Sequence, residues 1–304
     1  MPLPGTQRCN VCAVDPLPFP ERHNMAGALL RILLETLQIT TLVLLMMITV
    51  DLINVRTRGA IARVLVHARA WRQYVVSSLL GSAPGCVGAF TNVSLYMHGM
   101  ISFGALAGSM VAVSGDEAFV MLAMIPRTAL LLFAILFVLG IMSGWVVDYL
   151  IRRWKIRTCT DCETPLLHPD EHGFRHWVRE HLWHHIIRRH LVKTALWTFG
   201  ALVTVHAATE MLGLGSLTAA YPIAVLVAAV AVGLIPESGP HLIFVSMFAE
   251  GLVPFSVLLA SSIVQDGHGL LPLLPFSLRD SMMIKGFNAV FGLSVGLILL
   301  AVGV

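Results

Sequence analysis

Eight ionisable side chains interrupt otherwise apolar sequence: His98, Asp116, Glu117, Glu237, His241, Glu250, Asp266 and His268. Carboxylate and imidazole donors suit borderline divalent ions such as Mn2+, Fe2+, Co2+ or Zn2+, whereas soft Cu(I) asks for thiolates or thioethers. Cys86 offers one sulfur, and Met97 or Met100 would add a thioether. A charged group at membrane depth costs about 2.5–3.5 kcal/mol on insertion scales, so each needs a reason to be there. Glu237 and His241 follow the helix-breaking Pro236 and read as functional. The bland alternative for Asp116-Glu117 and Asp266-Gly267-His268 is a hydrated turn, because Gly-Asp and Asp-Gly are ordinary turn dipeptides. His98 and Glu250 could equally make structural hydrogen bonds. Ser94, Ser109, Ser246 and Ser261 read as small residues for close helix packing.

A second set lies between the hydrophobic halves. Cys159 and Cys162 form a C-x2-C pair, followed by His168, His172, His176, His181, His184, His185 and His190. Such a pair with following histidines is the ligand vocabulary of zinc-type sites. The apolar residues Phe174, Trp177, Val178, Leu182 and Ile186 keep helical spacing, and His172, His176, Glu180 and His184 follow one another four residues apart. The expected element is an amphipathic helix carrying a stripe of ligands, or one lying on the membrane surface with its histidines at the headgroups. Cys9 and Cys12 make a weaker second pair.

The elements that position these residues follow from composition. Of 304 residues, 57% are hydrophobic and 12% charged, with a mean hydropathy of +0.81. A soluble domain is about 45–50% apolar and about 25% charged. Apolar runs at 36–50, 128–147, 194–209, 219–236 and 287–304 approach the ~20 residues that cross a hydrocarbon core. These features predict an all-α polytopic membrane protein, since a chain in lipid must satisfy its own backbone groups. The net charge of +3 gives no footing for nucleic acid. Basic residues gather at Arg56–Arg72 and Arg152–Lys193, which the positive-inside rule assigns to the cytoplasm. The N-terminal stretch lacks the basic start and continuous apolar core of a removable signal and reads as a Pro-rich tail.

The polar stretch divides the chain into halves that resemble one another. Residues 81–115 lie without a gap on 233–267 at a constant offset of 152. Gly81/Gly233, Pro84/Pro236, Gly99/Gly251, Phe103/Phe255 and Gly115/Gly267 are identical, so the alignment holds the G-x-x-P start, the central Gly and the final Gly together. At this offset His98 matches Glu250, and Ser114-Gly115-Asp116 matches Asp266-Gly267-His268. If both basic stretches are cytoplasmic, each half holds an odd number of spans, and the halves are inverted. The expected plan is two inverted-topology repeats of about five segments each, with helices broken near the midplane at GSAPG and GLIPESGP. The organisation is a tail at 1–26, a first repeat at 27–151, a cytoplasmic linker at 152–190 and a second repeat at 191–304. LGLGSLTAAY is expected to be an outside loop.

The metalloprotease, serine hydrolase and phosphate-cradling motifs H-E-x-x-H, G-x-S-x-G and G-x-x-x-x-G-K-[ST] are absent, so the chain reads as a non-enzyme without its own nucleotide site. MHGMISFGAL, SGDEAFVMLAMIP, HWVREHLWHH and GLIPESGPHLIF make the chain resemble the ten-transmembrane heavy-metal exporter family of prokaryotes, whose members are labelled arsenic efflux proteins or manganese transporters. The resemblance runs from about residue 27 to the C-terminus. It implies two groups of five spans around a His-rich linker, and His98, Asp116, Glu117, Glu237, Ser238 and His241 as motif positions.

The reading that results is a secondary transporter in a prokaryotic inner membrane, exporting a divalent transition metal, foremost Mn2+, in exchange for protons. The metal is cargo, and no resident cofactor is required. Its partners are the bilayer, the ion and the protons, with no nucleic acid, and a homo-oligomer fits the class. Alternatives are an arsenical or oxyanion permease, a membrane-embedded metal-dependent hydrolase using His98, His241 and Glu237, and a metal-sensing subunit built around the linker.

Overall fold

A backbone in lipid has no water to bond, so its apolar stretches close their hydrogen bonds within helices. The computed structural model describes residues 25–57, 69–158, 192–212, 214–274 and 276–304, and every regular element among them is helical. In chain order these are α1 (Met25–Thr57), α2 (Ala70–Ser82), α3 (Val87–Met97), α4 (Phe103–Ala112), α5 (Glu117–Met124), α6 (Pro126–Trp154), α7 (Val192–Leu212), α8 (Leu214–Ala220), α9 (Pro222–Gly233), α10 (Leu242–Ala249), α11 (Phe255–Val264) and α12 (Leu278–Val302). The tail with Cys9 and Cys12, and the linker ligands Cys159, Cys162, His168, His172, His176, Glu180 and His184, lie outside the described residues.

Length and composition let α6, α12 and the α4–α5 stretch Phe103–Met124 cross a membrane. The burial pattern agrees. On α6, Ala129, Leu132, Leu136, Gly140, Gly144 and Val147 face inward, while Leu130, Leu131, Val138, Met142 and Trp145 are exposed. An exposed apolar stripe of that length suits lipid and not water.

One expectation is corrected. The outside loop LGLGSLTAAY is instead largely helical, as α8. The last span begins at Leu278, well before the apolar run at 287, because Ser277 caps it by accepting from the Asp280 amide at 3.3 Å.

Helices α2 and α3 fold back on each other. The Asn92 side-chain amide donates to the Ser77 carbonyl at 2.9 Å, a pairing that one continuous helix would hold far apart. The turn at Ala83–Cys86 is the tip of this hairpin. Beside it, α4 runs parallel to α2, and α6 returns antiparallel against α4.

The α4–α6 contact rests on facing glycines. Gly104 and Gly108 of α4 meet Gly144 and Gly140 of α6 so closely that a Cβ on Gly140 would lie 2.7 Å from the Gly108 carbonyl oxygen. Small-x-x-x-small spacing on both helices permits that approach. Asp148 fastens one end, accepting from Tyr74 Oη at 2.7 Å, Ser102 Oγ at 2.6 Å and the Gly104 amide at 2.7 Å. The start of α2, bearing Arg69 and Arg72, therefore meets the end of α6, bearing Arg152 and Arg153.

The 152-residue offset reappears in the element boundaries. Helices α2 and α9 start at 70 and 222, α4 and α11 span 103–112 and 255–264, and α6 and α12 start at 126 and 278. Gly115 and Gly267 share the left-handed backbone (φ 58° and 51°), which a side chain would strain. The correspondence extends beyond 81–115: Gly140 and Gly144 fall on Gly292 and Gly296, which pack against Val264 and Ala260. It fails at α5. The matching residues form turns, because Gly269 and Pro272 stand where α5 has Glu117 and Val120.

Candidate metal centre

Four chain breaks supply the site: Ala83–Cys86 between α2 and α3, Val113–Asp116 between α4 and α5, Leu234–His241 between α9 and α10, and Gln265–His268 after α11. Each break is dictated locally by Pro or Gly, and each leaves backbone groups that a helix would have paired. The structure brings them together. The Gly85 amide donates to the Gly115 carbonyl at 3.0 Å, joining the first two breaks. The Gln265 side-chain amide donates to the Val113 carbonyl at 3.2 Å, joining the second and fourth. His268 Nε2 stands 3.4 Å from Glu237 Oε1, joining the third and fourth.

At the meeting point lie Cys86, Asp116 and His268. Cys86 Sγ is 3.5 Å from Asp116 Oδ1, and one ligand atom from each of the three lies within 4.8 Å of the others. A tetrahedral ion with ligands at about 2.0–2.3 Å holds them about 3.3–3.8 Å apart, so closure needs side-chain rotations of about 1 Å. Cys86 and Asp116 are buried and His268 is half-buried. The carboxylates of these turns are not exposed: Asp116 is 7% exposed, Glu117 1% and Asp266 0%.

Around this trio the site is acidic. Glu117 is close enough to Asp116 and Asp266 for their charges to act on one another. Glu117 and Ser238 side chains lie close enough to interact, yet neither Glu117 oxygen nor Ser238 Oγ completes a well-formed hydrogen bond among the described residues, and the same holds for Asp266 Oδ2. Ser238 packs tightly here, since a Cβ on Gly267 would lie 2.6 Å from its Oγ. Buried polar atoms in that condition are expensive unless something else binds them. Lys285 of α12 pairs with Asp266 Oδ1.

Other expected positions fall elsewhere. His241 is buried just outside α10, with Nδ1 2.6 Å from Ser261 Oγ, and its Nε2 has no partner among the described residues. Ser261 is therefore more than a small packing residue. His98 and Glu250, matched by the offset, cap the ends of α3 and α10 instead of joining the trio. His98 is exposed, and Glu250 is half-buried within electrostatic range of Glu35. Met97 packs in an apolar cluster with Tyr96 and Phe103, and Met100 lies at its edge, so neither adds a thioether to the trio. Lys285 and Gln265 were not anticipated. Lys285 had a legible signal, a single lysine inside the apolar stretch of α12.

The family model described as "Putative, 10TM heavy-metal exporter" matches residues 35–209 and 184–302, and the chain belongs to that family. It is accordingly a multi-pass membrane protein of a transporter family. Comparison with curated proteins and with solved structures finds no match.

Proposed function

We propose that this family member is a secondary transporter that exports a divalent transition metal, with Zn2+ and Co2+ ahead of Mn2+. The observation that carries the reading is the convergence of Cys86, Asp116 and His268 where four helix breaks meet. Oxygen and nitrogen donors alone favour the Mn2+ expected above. A thiol among them moves the preference toward softer ions. Asp116, Glu117 and Asp266 count against an oxyanion, which would meet like charge.

The ion is cargo, so the site binds it on one side and releases it on the other. Cys86 sheds a proton to coordinate a metal as a thiolate and regains one afterwards, which makes proton exchange the natural energy source. The equivalence of 70–112 and 222–264 supports two repeats, and their inversion, argued from the basic stretches, would let them rock about the cluster. The gathering of Arg69, Arg72, Arg152 and Arg153 at one end supports a cytoplasmic end in an inner-membrane protein. The linker, with Cys159, Cys162 and His168–His184, would deliver the ion from there.

The experiment is metal flux in proteoliposomes under an imposed pH gradient. Wild-type protein should move Zn2+ faster than Mn2+. Cys86→Ser should slow Zn2+ about tenfold, the consequence of losing about 1.4 kcal/mol of binding, while Mn2+ changes about twofold or less. Unchanged Zn2+ flux in Cys86→Ser and in Asp116→Asn would reject the site.

A further inference from the structure

Lys285 presents a problem that the transport reading does not absorb. It is buried on α12, and among the residues whose burial is described no other Lys or Arg is. Its ammonium pairs with Asp266 and stands 3.5 Å from the Gly233 carbonyl oxygen. Asp266 is wholly buried and two residues from His268. The ammonium thus sits on a carboxylate whose charge reaches Glu117, at the edge of the acidic surroundings in which a metal would sit.

Stability is a poor reason for such a pair. The desolvation of two buried charges roughly cancels their attraction, and apolar residues of similar size would do as well or better. The pair is also only half closed, because Asp266 Oδ2 has no partner among the described residues. A lysine is a compact charge on a flexible four-carbon stem and can change acceptor by rotating that stem. A second acceptor is at hand. Asn288 lies three residues further along α12, on the same face, and is fully buried with neither side-chain amide atom partnered among the described residues.

We infer that Lys285 is a tethered counter-cation: its ammonium occupies Asp266 while the carrier is empty and withdraws toward Asn288 and the Gly233 carbonyl when the metal arrives. The inference rests on the transport reading above. Its consequence concerns the empty return step. A carrier must reorient without cargo to achieve net transport, and buried carboxylates without a cation resist crossing a low-dielectric interior. Lys285 supplies that cation without leaving the protein. Exchange of metal for metal needs no such help, since the site is loaded in both directions.

The two modes separate experimentally in proteoliposomes with Zn2+ as the probe. Net uptake is measured into vesicles free of zinc, and exchange is measured with labelled zinc outside and saturating unlabelled zinc inside. In Lys285→Met, net uptake should fall about tenfold or more while exchange stays within about twofold of wild type, since only the empty return is impaired. Lys285→Arg should keep a substantial part of net uptake. The double variant Asp266→Asn/Lys285→Met, which removes both charges, should recover net uptake relative to Lys285→Met. Net uptake that survives in Lys285→Met overturns the inference, as does a parallel loss of both modes that the double variant fails to relieve. If wild-type protein moves zinc in neither assay, the transport reading itself is what fails.

Discussion

Gln265 donates its side-chain amide to the carbonyl of Val113 across 3.2 Å, and the two residues stand 152 positions apart. Val113 and Gln265 are thus equivalent positions of the repeated sequence, each the residue immediately after its ten-residue helix, α4 or α11. The two halves touch where their helices break, and the candidate ligands Asp116 and His268 lie three residues beyond Val113 and Gln265.

Removing this tie should weaken the junction in a graded way. Gln265→Leu deletes the donor and leaves a buried carbonyl bare, at a cost of about 1–3 kcal/mol. Gln265→Glu does more harm, because a carboxylate would face the carbonyl oxygen and add to the charge of Asp266. Thermal unfolding in detergent should rank wild type above Leu above Glu. Equal melting temperatures for all three would show that the bond carries no weight.

The glycine contact between α4 and α6 makes a separate claim. A valine at Gly108 would strike the carbonyl of Gly140 and force the helices apart, costing about 1–3 kcal/mol or more. Val138→Leu, on the exposed face of the same α6, should leave the melting temperature where it was. A tolerated Gly108→Val would mean that the helices are not packed through these residues.

Asp148 gathers three donors at the basic end, so its partners should be energetically coupled. Tyr74→Phe removes one charge-assisted bond and should destabilise by about 1.5–3 kcal/mol. In an Asp148→Ala background the same change should cost far less, because the acceptor has already gone. Additive effects in this double-mutant cycle would contradict the observed geometry.

Glu117 sets stability against function. It is 1% exposed, and its interactions with Ser238 and with its own backbone fall short of well-formed hydrogen bonds, so its burial costs the fold more than its polarity returns. Glu117→Leu, similar in volume, should raise the melting temperature by removing a buried ionisable group. The same variant should lose most Zn2+ flux. A destabilised variant would show that Glu117 has a structural role instead.

Much of the architecture was legible in the chain because its causes are local. Apolar runs had to become helices in lipid, and Pro84, Pro236, Gly115 and Gly267 had to interrupt them. The offset of 152 also anticipated where matching helices begin and end. Local rules missed α8, and the apolar run at 287–304 covers only part of α12, because a serine cap and an Asp, Arg and Lys can all be carried at one end of a long apolar helix.

Sequence by itself determined that this is an all-helical membrane chain with repeated, broken segments and ionisable residues beside the breaks. Only the tertiary structure decided which of those residues meet. Cys86 entered the site because α2 and α3 fold into a hairpin whose tip reaches Gly115, and Lys285 entered because α12 packs against α11 through Gly292 and Gly296. His98 and Glu250 were left out although the offset pairs them, since they cap the ends of α3 and α10, away from the breaks that carry the trio. The physical reason is one of range. A proline or glycine acts on its own turn of chain, whereas the meeting of four breaks depends on helix contacts made by residues far apart in the sequence.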